Sequence, residues 1–461
     1  MVKMKTIMTA AALAWAAVSA STSMAQNDLL TPEKLWSMNR VGSQTASPDG
    51  KHIAYTVSTP DIQANKIKTA ICMIQADGSG RQVLTTGKDS ESQPAFLPGG
   101  QRIAFLSKGN LWTMAIDGTD RQQLYDKGDL EGFIFSPDGT QVVVIRQIPY
   151  TSSIQPKEED LPLATGLVID DMNYKHWDQY VQTIPHIFLA SVENGKLNIK
   201  KDILEGEPYE CPVLPFGGSE QLCWSPDGKS IAYTSRKKTG VDYAISTDSD
   251  IFLYDIESGE TKNLCKPEGY VRPACDPTRS LKNQAVNQFQ EDVNAGYDQN
   301  PQFSPNGKYI AWSSMERDGY ESDRNRLCVL DLHSGEKRFV TETFESGVDG
   351  FCWERDSKTL YFTGVWHGTS MIYSTNLNGQ VKKLTDGDYD YASVALGKPG
   401  ELIDKRHSIS HADELYSVVL VEKEQDDKFT RQSGAESSST RQLVNLSTEI
   451  TPITHENDHI F

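Results

Sequence analysis

The last residues of the sequence match a metal-binding pattern. Residues 455–459 read HENDH, and in zinc peptidases an HExxH string places two histidines and a general-base glutamate on one helix. Here Asn457 and Asp458 are weak helix formers, Pro452 lies just upstream, and two residues follow, so no helix continues to a third ligand. The sequence therefore predicts no zinc chemistry at this string. We expect no metal site and no cofactor elsewhere in the chain.

A serine nucleophile of the hydrolase kind is also absent from the printed sequence. No Gly-x-Ser-x-Gly stretch occurs in the 461 residues, and the spaced glycines of 364–368 enclose Val-Trp-His instead. Without that strained turn between a strand and a helix, no activated serine oxygen is exposed. A glycine-rich phosphate loop is missing as well. We therefore predict no catalytic residue in this chain.

Two polar stretches combine acids, a base and aromatic residues. Residues 216–221 read FGGSEQ and residues 315–323 read MERDGYESD. Carboxylates beside a cation and an aromatic ring can hold a charged small ligand, for example the amino group of a peptide. The alternative is that both stretches are solvated loops with internal ion pairs, which is common on protein surfaces. Sequence alone leaves both interpretations open.

The elements that would position these stretches are set by a repeated turn. In Ser225-Pro226-Asp227-Gly228, proline presets its φ angle, aspartate bonds its own backbone, and glycine accepts positive φ. β-prone runs flank the turn, so it predicts a hairpin. Full or degraded copies occur seven times, at Pro48, Pro98, Pro137, Pro226, Pro305, Asp356 and Pro399.

The spacing of the turns indicates the fold class. Successive copies lie 50, 39, 89, 79, 51 and 43 residues apart, and the short intervals match one four-stranded propeller blade. After most turns an apolar strand, a Gly-containing turn and a Lys- or Arg-bearing edge strand follow, as in 103–124. We predict an all-β, seven-bladed β-propeller of four-stranded antiparallel blades. The two long intervals predict insertions.

Composition and the first residues indicate the compartment. Lysines at positions 3 and 5, an apolar run from Ile7 to Val18 and small residues before Gln26 are typical of a secretory signal peptide. We therefore divide the chain into a signal peptide (1–25), a propeller (26–452) and the start of a linker (453–461). A net charge of −18 disfavours a nucleic-acid partner, and no later segment has the length and apolarity of a membrane span. Of the seven cysteines, Cys265 and Cys275 bracket a proline-containing loop and could pair, which spacing alone does not decide.

Several stretches together resemble one family. They are the repeated turns and residues 217–228, 231–240, 300–307, 315–320 and 443–460. They resemble the N-terminal propeller of a bacterial dipeptidyl-peptidase V, in the prolyl oligopeptidase (S9) group of serine peptidases. In that family the propeller covers a C-terminal α/β-hydrolase domain, limits access to short peptides and helps to hold the substrate N-terminus. All three triad residues lie in the hydrolase domain, which this sequence does not include, so no triad residue can be transferred.

The resemblance implies a non-catalytic propeller that gates and positions short peptides for a hydrolase domain absent from this chain or encoded separately. We expect Glu220 and Glu316 to accept the peptide amine, Arg317 to orient them and Tyr320 to form a wall. The chain is then a truncated or split member, inactive alone, and exported, to the periplasm. The alternative is a free-standing periplasmic TolB-like propeller that binds a protein partner.

Overall fold

The repeated turn of the sequence becomes the connection between the first and second strands of every blade. The computed structural model describes residues 30–150, 155–156, 163, 165, 167–168, 181–270, 294–422 and 446–460. Its strands form seven antiparallel blades, and each blade is hydrogen-bonded from an inner strand to an outer one. The predicted fold class is confirmed.

Among the first three blades, blade 3 contains the first predicted insertion. It lies between the second and third strands of that blade and includes a small separate hairpin. Their strands are β1 (Arg40–Ala46), β2 (His52–Asp61), β3 (Lys66–Gln75) and β4 (Gln82–Val83); β5 (Ser92–Phe96), β6 (Arg102–Ser107), β7 (Asn110–Ala115) and β8 (Gln122–Gln123); β9 (Leu130–Phe135), β10 (Gln141–Pro149), β13 (Thr183–Glu193) and β14 (Lys196–Asp202), with β11 (Gln155–Pro156) and β12 (Leu167–Val168) as the hairpin.

The other four blades follow the same order, and in blade 7 the inner strand is broken into two short pieces. Their strands are β15 (Leu222–Trp224), β16 (Ser230–Ser235), β17 (Asp250–Asp255) and β18 (Thr261–Asn263); β19 (Asp298–Phe303), β20 (Tyr309–Ser314), β21 (Arg326–Asp331) and β22 (Lys337–Phe339); β23 (Gly350–Trp353), β24 (Thr359–Trp366), β25 (Thr369–Asn376) and β26 (Lys382–Lys383); β27 (Asp390–Tyr391), β28 (Ala395–Leu396), β29 (Glu401–Ser408), β30 (His411–Glu422) and β31 (Leu446–Pro452).

Side-chain hydrogen bonds explain why the turn sequence is repeated. At the blade 4 turn, Ser225 Oγ donates to Asp227 Oδ1 at 2.6 Å and accepts from the Ser230 amide at 2.9 Å. Gly228 has φ +69°, a value that favours glycine. The hydrogen bond from serine also lowers the pKa of the exposed Asp227 carboxyl. Each residue of the motif therefore has a separate role in closing the hairpin.

The turns also contact each other around one end of the ring. A Cβ added to Gly307 would lie 3.7 Å from the Pro226 ring, and one added to Gly139 would lie 3.3 Å from Pro98. The proline of one turn thus packs on the glycine of the next. This end of the propeller, which we call the turn end, is a closely packed surface.

Apolar side chains fill the spaces between neighbouring blades. Ile251 of blade 4 packs in one buried cluster with Trp312 and Cys328 of blade 5, and Tyr55 of blade 1 packs with Leu415 of blade 7. Burying this much apolar area is the main stabilising contribution to such a fold. The core is therefore a ring of packed interfaces between blades.

Helices are few among the described residues. α1 (Pro32–Ser37) precedes β1, and Thr31 caps it by accepting the Lys34 amide at 3.2 Å. α2 (Gly240–Ile245) lies between β16 and β17, and a 3₁₀ turn covers Ser219–Gln221. Within the described part of the chain, no helix has the length and apolarity that crossing a membrane requires.

Residues 453–460 close the ring, although blades 1 and 7 do not share a strand. Blades 1 and 7 are each built from one continuous stretch, and the segment after β31 lies across both of them. Glu456 forms two hydrogen bonds with Arg81, at 2.5 and 2.8 Å, and accepts the Tyr55 hydroxyl at 2.8 Å. We call residues 453–457 the clasp. Their role as the start of a linker stays a prediction.

Some sequence predictions fall on residues outside the described ranges. The signal peptide 1–25 is one of them, and Cys275 is another. Cys265 is a buried free thiol. Its pairing with Cys275 is therefore not supported.

Candidate functional site

A cavity of about 880 Å³ opens between blades 4 and 5, at the end of the propeller opposite the turn end. β15 and β19 begin at this end and β16 and β20 finish there, so the loops that flank these strands form its walls. The lining residues come from four segments, 213–221, 236–247, 297–300 and 315–321.

The cavity joins the two polar stretches that the sequence shows as separate. Glu220, from the first stretch, and Glu321, from the second, both line it. Glu220 Oε1 accepts the Gly218 amide at 2.7 Å, and Glu321 Oε1 accepts the Tyr297 hydroxyl at 3.2 Å. Each carboxylate is therefore held by one hydrogen bond and has further acceptor capacity for a ligand.

The 3₁₀ turn fixes the position of Glu220. Gln221 is buried, and its Oε1 accepts the Val213 amide at 2.8 Å. Leu222, the next residue, enters β15 and pairs with Tyr233. The turn is thus anchored on both sides, which places the Glu220 side chain at the cavity wall.

Glu316 is not among the residues that line the cavity. Its side chain is 64% exposed, and its Oε2 lies 3.9 Å from Arg326 Nη1. An ion pair of this length at the surface contributes little stability. The predicted role of Glu316 in amine binding stays a prediction, and the structure offers Glu321 in its place at the cavity.

Arg317 and Tyr320 form a small cluster of their own beside the cavity. The Arg317 Nε donates to Asp323 Oδ1 at 2.9 Å, its Nη2 also bonds Asp323, and its guanidinium lies 4.2 Å from the Tyr320 ring centre. The structure does not bring Arg317 into contact with Glu220. Its predicted orienting role, and that of Tyr320 as a wall, stay predictions.

Arg236 supplies a buried positive charge at the cavity that the sequence analysis missed. Its guanidinium lies 4.0 Å from the Tyr243 ring centre, and Nη1 donates to the Ser246 carbonyl at 3.0 Å. Nη1 also lies 3.5 Å from the Tyr297 hydroxyl, so Arg236, Tyr297 and Glu321 are connected. Burial raises the pKa of both tyrosines, which therefore stay neutral donors.

Asp318 ties the two walls of the cavity together. This buried carboxylate accepts the Ser246 hydroxyl at 2.7 Å and the Thr247 amide at 2.8 Å. In return, Thr247 Oγ1 accepts the Gly319 amide at 2.9 Å. The loop after β20 is thereby bonded to the segment that follows α2, so blades 4 and 5 present one continuous cavity surface.

The groups that line the cavity are suited to binding charge. No histidine or cysteine lines it in the described part of the chain, so its serine and threonine have no imidazole base beside them. Two carboxylates, a guanidinium and two phenols can hold an ammonium group and a carbonyl or carboxylate oxygen. The arrangement is that of a binding site.

Two further groups bear on metal binding. Asp250, Cys265 and Asp298, below the cavity, offer ligand atoms that all lie within 4.8 Å of one another. The HENDH string forms no helix, since Glu456 is bonded to Arg81 and His455 lies 3.2 Å from Asp458. The string therefore lacks the geometry of a zinc-peptidase site.

The fold defines a class of protein. The Pyrococcus horikoshii acylaminoacyl peptidase superposes with a TM-score of 0.61 over 94% of this chain and 55% of that protein, at 14% identity. The β-propeller domain of the Trilobed protease from Pyrococcus furiosus gives a TM-score of 0.53, covers 92% of this chain and 98% of that one, and is 12% identical. The chain is a seven-bladed propeller like those of S9 peptidases.

Sequence relatives are more specific. Dipeptidyl-peptidase 5 of Porphyromonas gingivalis is 39% identical over 422 residues, which is 90% of this chain and 58% of the relative. Dipeptidyl-peptidase 5 of Porphyromonas endodontalis is 38% identical over 401 residues, 86% of this chain and 54% of the relative. No protein-family model matches the chain. The chain is thus a homologue of dipeptidyl-peptidase 5 over a propeller that spans somewhat more than half of those relatives.

Proposed function

We propose that this propeller admits and positions short peptides for an S9-type hydrolase domain. The proposal is supported by the relatives named dipeptidyl-peptidase 5 and by the cavity between blades 4 and 5. β1 begins at the end of the propeller where the cavity opens, and Asn457, the last residue of the clasp, hydrogen-bonds Asn39 just before β1. A domain joined to the propeller at this end would face the cavity directly.

The single observation that carries the proposal is the pair of carboxylates at one cavity. Glu220 and Glu321 approach from adjacent blades, and both have remaining acceptor capacity. A peptide α-amino group is largely protonated near neutral pH, and hydrogen bonds between two charged groups are among the stronger ones in proteins. Arg236, whose Nε has no hydrogen-bond partner among the described residues, offers a donor for a carbonyl oxygen of the same peptide.

Export is part of the proposal. The N-terminal pattern supports cleavage after Ala25 and release outside the cytoplasm, which we take to be the periplasm. N-terminal sequencing of protein recovered from a periplasmic extract should begin at Gln26. An intact Met1 or Val2 terminus in that fraction would contradict the assignment.

The binding site can be tested with the 461-residue chain and two probes, alanyl-phenylalanine amide and its N-acetyl derivative. We expect isothermal titration calorimetry to show that N-acetylation weakens binding at least about tenfold, since it removes the charged donor. Glu220→Gln and Glu321→Gln should each weaken binding of the free amine by roughly tenfold and leave the N-acetyl probe nearly unchanged.

Glu316→Gln is the matched control. Its carboxylate is exposed and lies outside the cavity lining, so the variant should bind like wild type. Equal binding of the two probes would refute amine recognition. A loss in Glu316→Gln equal to that in Glu220→Gln would move the amine site to the position expected from sequence.

The alternative of a free-standing TolB-like module for a protein partner is not favoured. The sequence relatives that cover most of the chain are named as peptidases. The polar cavity suits a small charged ligand better than a flat protein surface.

A further inference from the structure

A buried pair of carboxylates lies beneath the cavity, at the junction of blades 4 and 5. Asp298 opens β19 and Asp250 opens β17, and an oxygen of one lies within 4.8 Å of an oxygen of the other. Asp298 is fully buried, and the Asp250 side chain is 14% exposed. Burying two carboxylates at this separation is unfavourable unless a positive charge or a proton compensates.

One oxygen of Asp298 makes no hydrogen bond with the described residues, whereas Asp250 is partly compensated by a lysine. Asp298 Oδ1 accepts hydrogen bonds from the Trp312 indole N–H at 2.6 Å and from the Asn294 side-chain Nδ2 at 3.1 Å. Its Oδ2 has no partner among the described residues. Asp250 Oδ2 accepts the Asn263 side chain at 2.8 Å, and its Oδ1 lies 3.0 Å from Lys266 Nζ. A fully buried carboxylate oxygen without a donor, close to a second carboxylate, is the signature of a missing proton or cation.

Charged and titratable groups reach this pair from every adjoining element. Lys266 Nζ lies 3.0 Å from Asp250 and 2.9 Å from Asp248, and Asp248 is also 3.0 Å from Lys238. The remaining groups are Cys265 beside β18, Cys328 and Arg326 on β21, and Lys337 on β22. Asp248 and Asp250 thus each lie beside a lysine ammonium, whereas no lysine or arginine of the described residues forms an ion pair with Asp298.

The position of Lys266 favours a proton over a metal ion. Asp250, Cys265 and Asp298 could in principle ligate a divalent cation, but the Lys266 ammonium already lies at hydrogen-bond distance from the Asp250 oxygen. A divalent ion at the same oxygen would be repelled at close range.

Hydrogen bonds connect this pair to the cavity walls. The Asp298 amide donates to the Ser249 carbonyl at 3.2 Å, and Ser249 Oγ donates to the Asp298 carbonyl at 3.0 Å. Tyr297, the residue before Asp298, forms an isolated backbone β-bridge with Ser249 and also lines the cavity. A change in the protonation of the acid pair therefore acts on the backbone segment that carries cavity-lining residues.

We propose that Asp298 and Asp250 form a proton-binding pair that makes the junction of blades 4 and 5, and the cavity on it, sensitive to pH. With the proton bound, one acid is neutral and can donate across the gap. Loss of the proton leaves two facing anions, and their repulsion loosens the junction.

The direction of the pH effect follows from the pKa. Burial raises the pKa of Asp298 to about 7, against the attraction of Lys266, while the unfolded chain titrates near 3.8. Between these values the folded protein holds a proton that the unfolded chain has lost. The contribution of Asp298 to the free energy of unfolding is therefore greatest in acid and declines as pH rises from about 4 through 7.

Trp312 provides a direct probe that requires no peptide, so this test is independent of the proposed function. In protein labelled with ¹⁵N-tryptophan, Trp312→Phe assigns one of the eight indole signals. We expect the Trp312 signal to shift with an inflection near pH 7 between pH 5 and 9. Asp298→Asn, a neutral isostere, should abolish the inflection. Asp250→Asn should keep it and move it to lower pH, because a neighbouring negative charge is removed.

Asp349→Asn is the matched control. Asp349 belongs to blade 6, and burial raises its pKa too, but it has no contact with Trp312, so the inflection should persist in this variant. A Trp312 signal that does not move between pH 5 and 9 would overturn the proposal. So would an inflection that survives in Asp298→Asn, or one that EDTA abolishes, since the last result would assign the pair to a cation.

Discussion

The junction of blades 7 and 1 and the junction of blades 4 and 5 both place charged groups over an apolar layer, but they do so differently. At the first, Glu456 meets Arg81 in a two-point ion pair, and Tyr55 donates to the same carboxylate. At the second, Asp298 keeps an oxygen without a hydrogen bond, and Asp250 is paired with Lys266.

The difference separates a structural junction from a functional one. Where each acid is paired with one base, the ion pair contributes to stability. Its charges and hydrogen-bonding groups are then not available to a ligand. Where acids exceed nearby bases and a cavity opens above them, the site can take up a proton or a cationic ligand. By this criterion we expect the 7–1 junction to hold the ring closed and the 4–5 junction to bind a ligand.

The strongest way to break the comparison is to remove the ion pair of the clasp. Glu456→Ala leaves Arg81 and Tyr55 without their acceptor. We expect the free energy of unfolding in urea to fall by roughly 3 kcal/mol, at the low end for a broken buried pair, since the Arg81 side chain is 40% exposed. Peptide binding at the 4–5 junction should change less than about twofold, because the two sites are on distant blades.

Glu336→Ala is the control for that variant. It removes a short ion pair with Arg338, in which the Glu336 and Arg338 side chains are 55% and 53% exposed. Because solvent screens this pair, we expect its loss to leave the free energy of unfolding nearly unchanged. Equal losses in Glu456→Ala and Glu336→Ala would show that the clasp does not hold the ring closed.

A smaller effect on stability, but a larger one on binding, is expected at Asp318. Asp318→Ala removes the acceptor for Ser246 and Thr247, so the two cavity walls are no longer bonded through this side chain. We expect a loss of about 1–2 kcal/mol in stability. The affinity for alanyl-phenylalanine amide should fall by roughly tenfold, since Glu220 and Glu321 are no longer held in register.

Asp318→Asn separates positioning from charge. Asparagine retains an oxygen at the Oδ1 position, so it can still accept from Ser246 and Thr247. Binding in this variant should return to within about threefold of wild type. If Asp318→Ala binds the peptide amide as wild type does, Asp318 has no part in shaping the cavity.

The propeller ring could be predicted from sequence because the interactions that specify its turns are local in the chain. Ser225, Asp227 and Gly228 bond within one turn, and seven copies at blade-length spacing fix the architecture. The capped helix at Thr31 is equally local. Local hydrogen bonds of this kind do not depend on which blades become neighbours.

The site could be predicted only in part because it depends on contacts across blades. The stretches around Glu220 and Glu321 were recognisable by composition, but their meeting at one cavity requires two adjacent blades. Arg236 looks like an ordinary basic residue at the end of a strand, and its burial against Tyr243 is invisible in the sequence. Glu456 was readable as part of a zinc pattern, whereas its partner Arg81 lies at the other end of the chain.

The most direct test of the account is photocrosslinking of a short peptide to the propeller. Alanyl-benzoylphenylalanine amide carries a free amine and a photoreactive side chain, and mass spectrometry locates its attachment. We expect crosslinks within 213–221, 236–247 or 315–321, which line the cavity, and competition by alanyl-phenylalanine amide but not by its N-acetyl form. Crosslinks concentrated at the turn end, or an equal effect of the two competitors, would contradict peptide capture at the junction of blades 4 and 5.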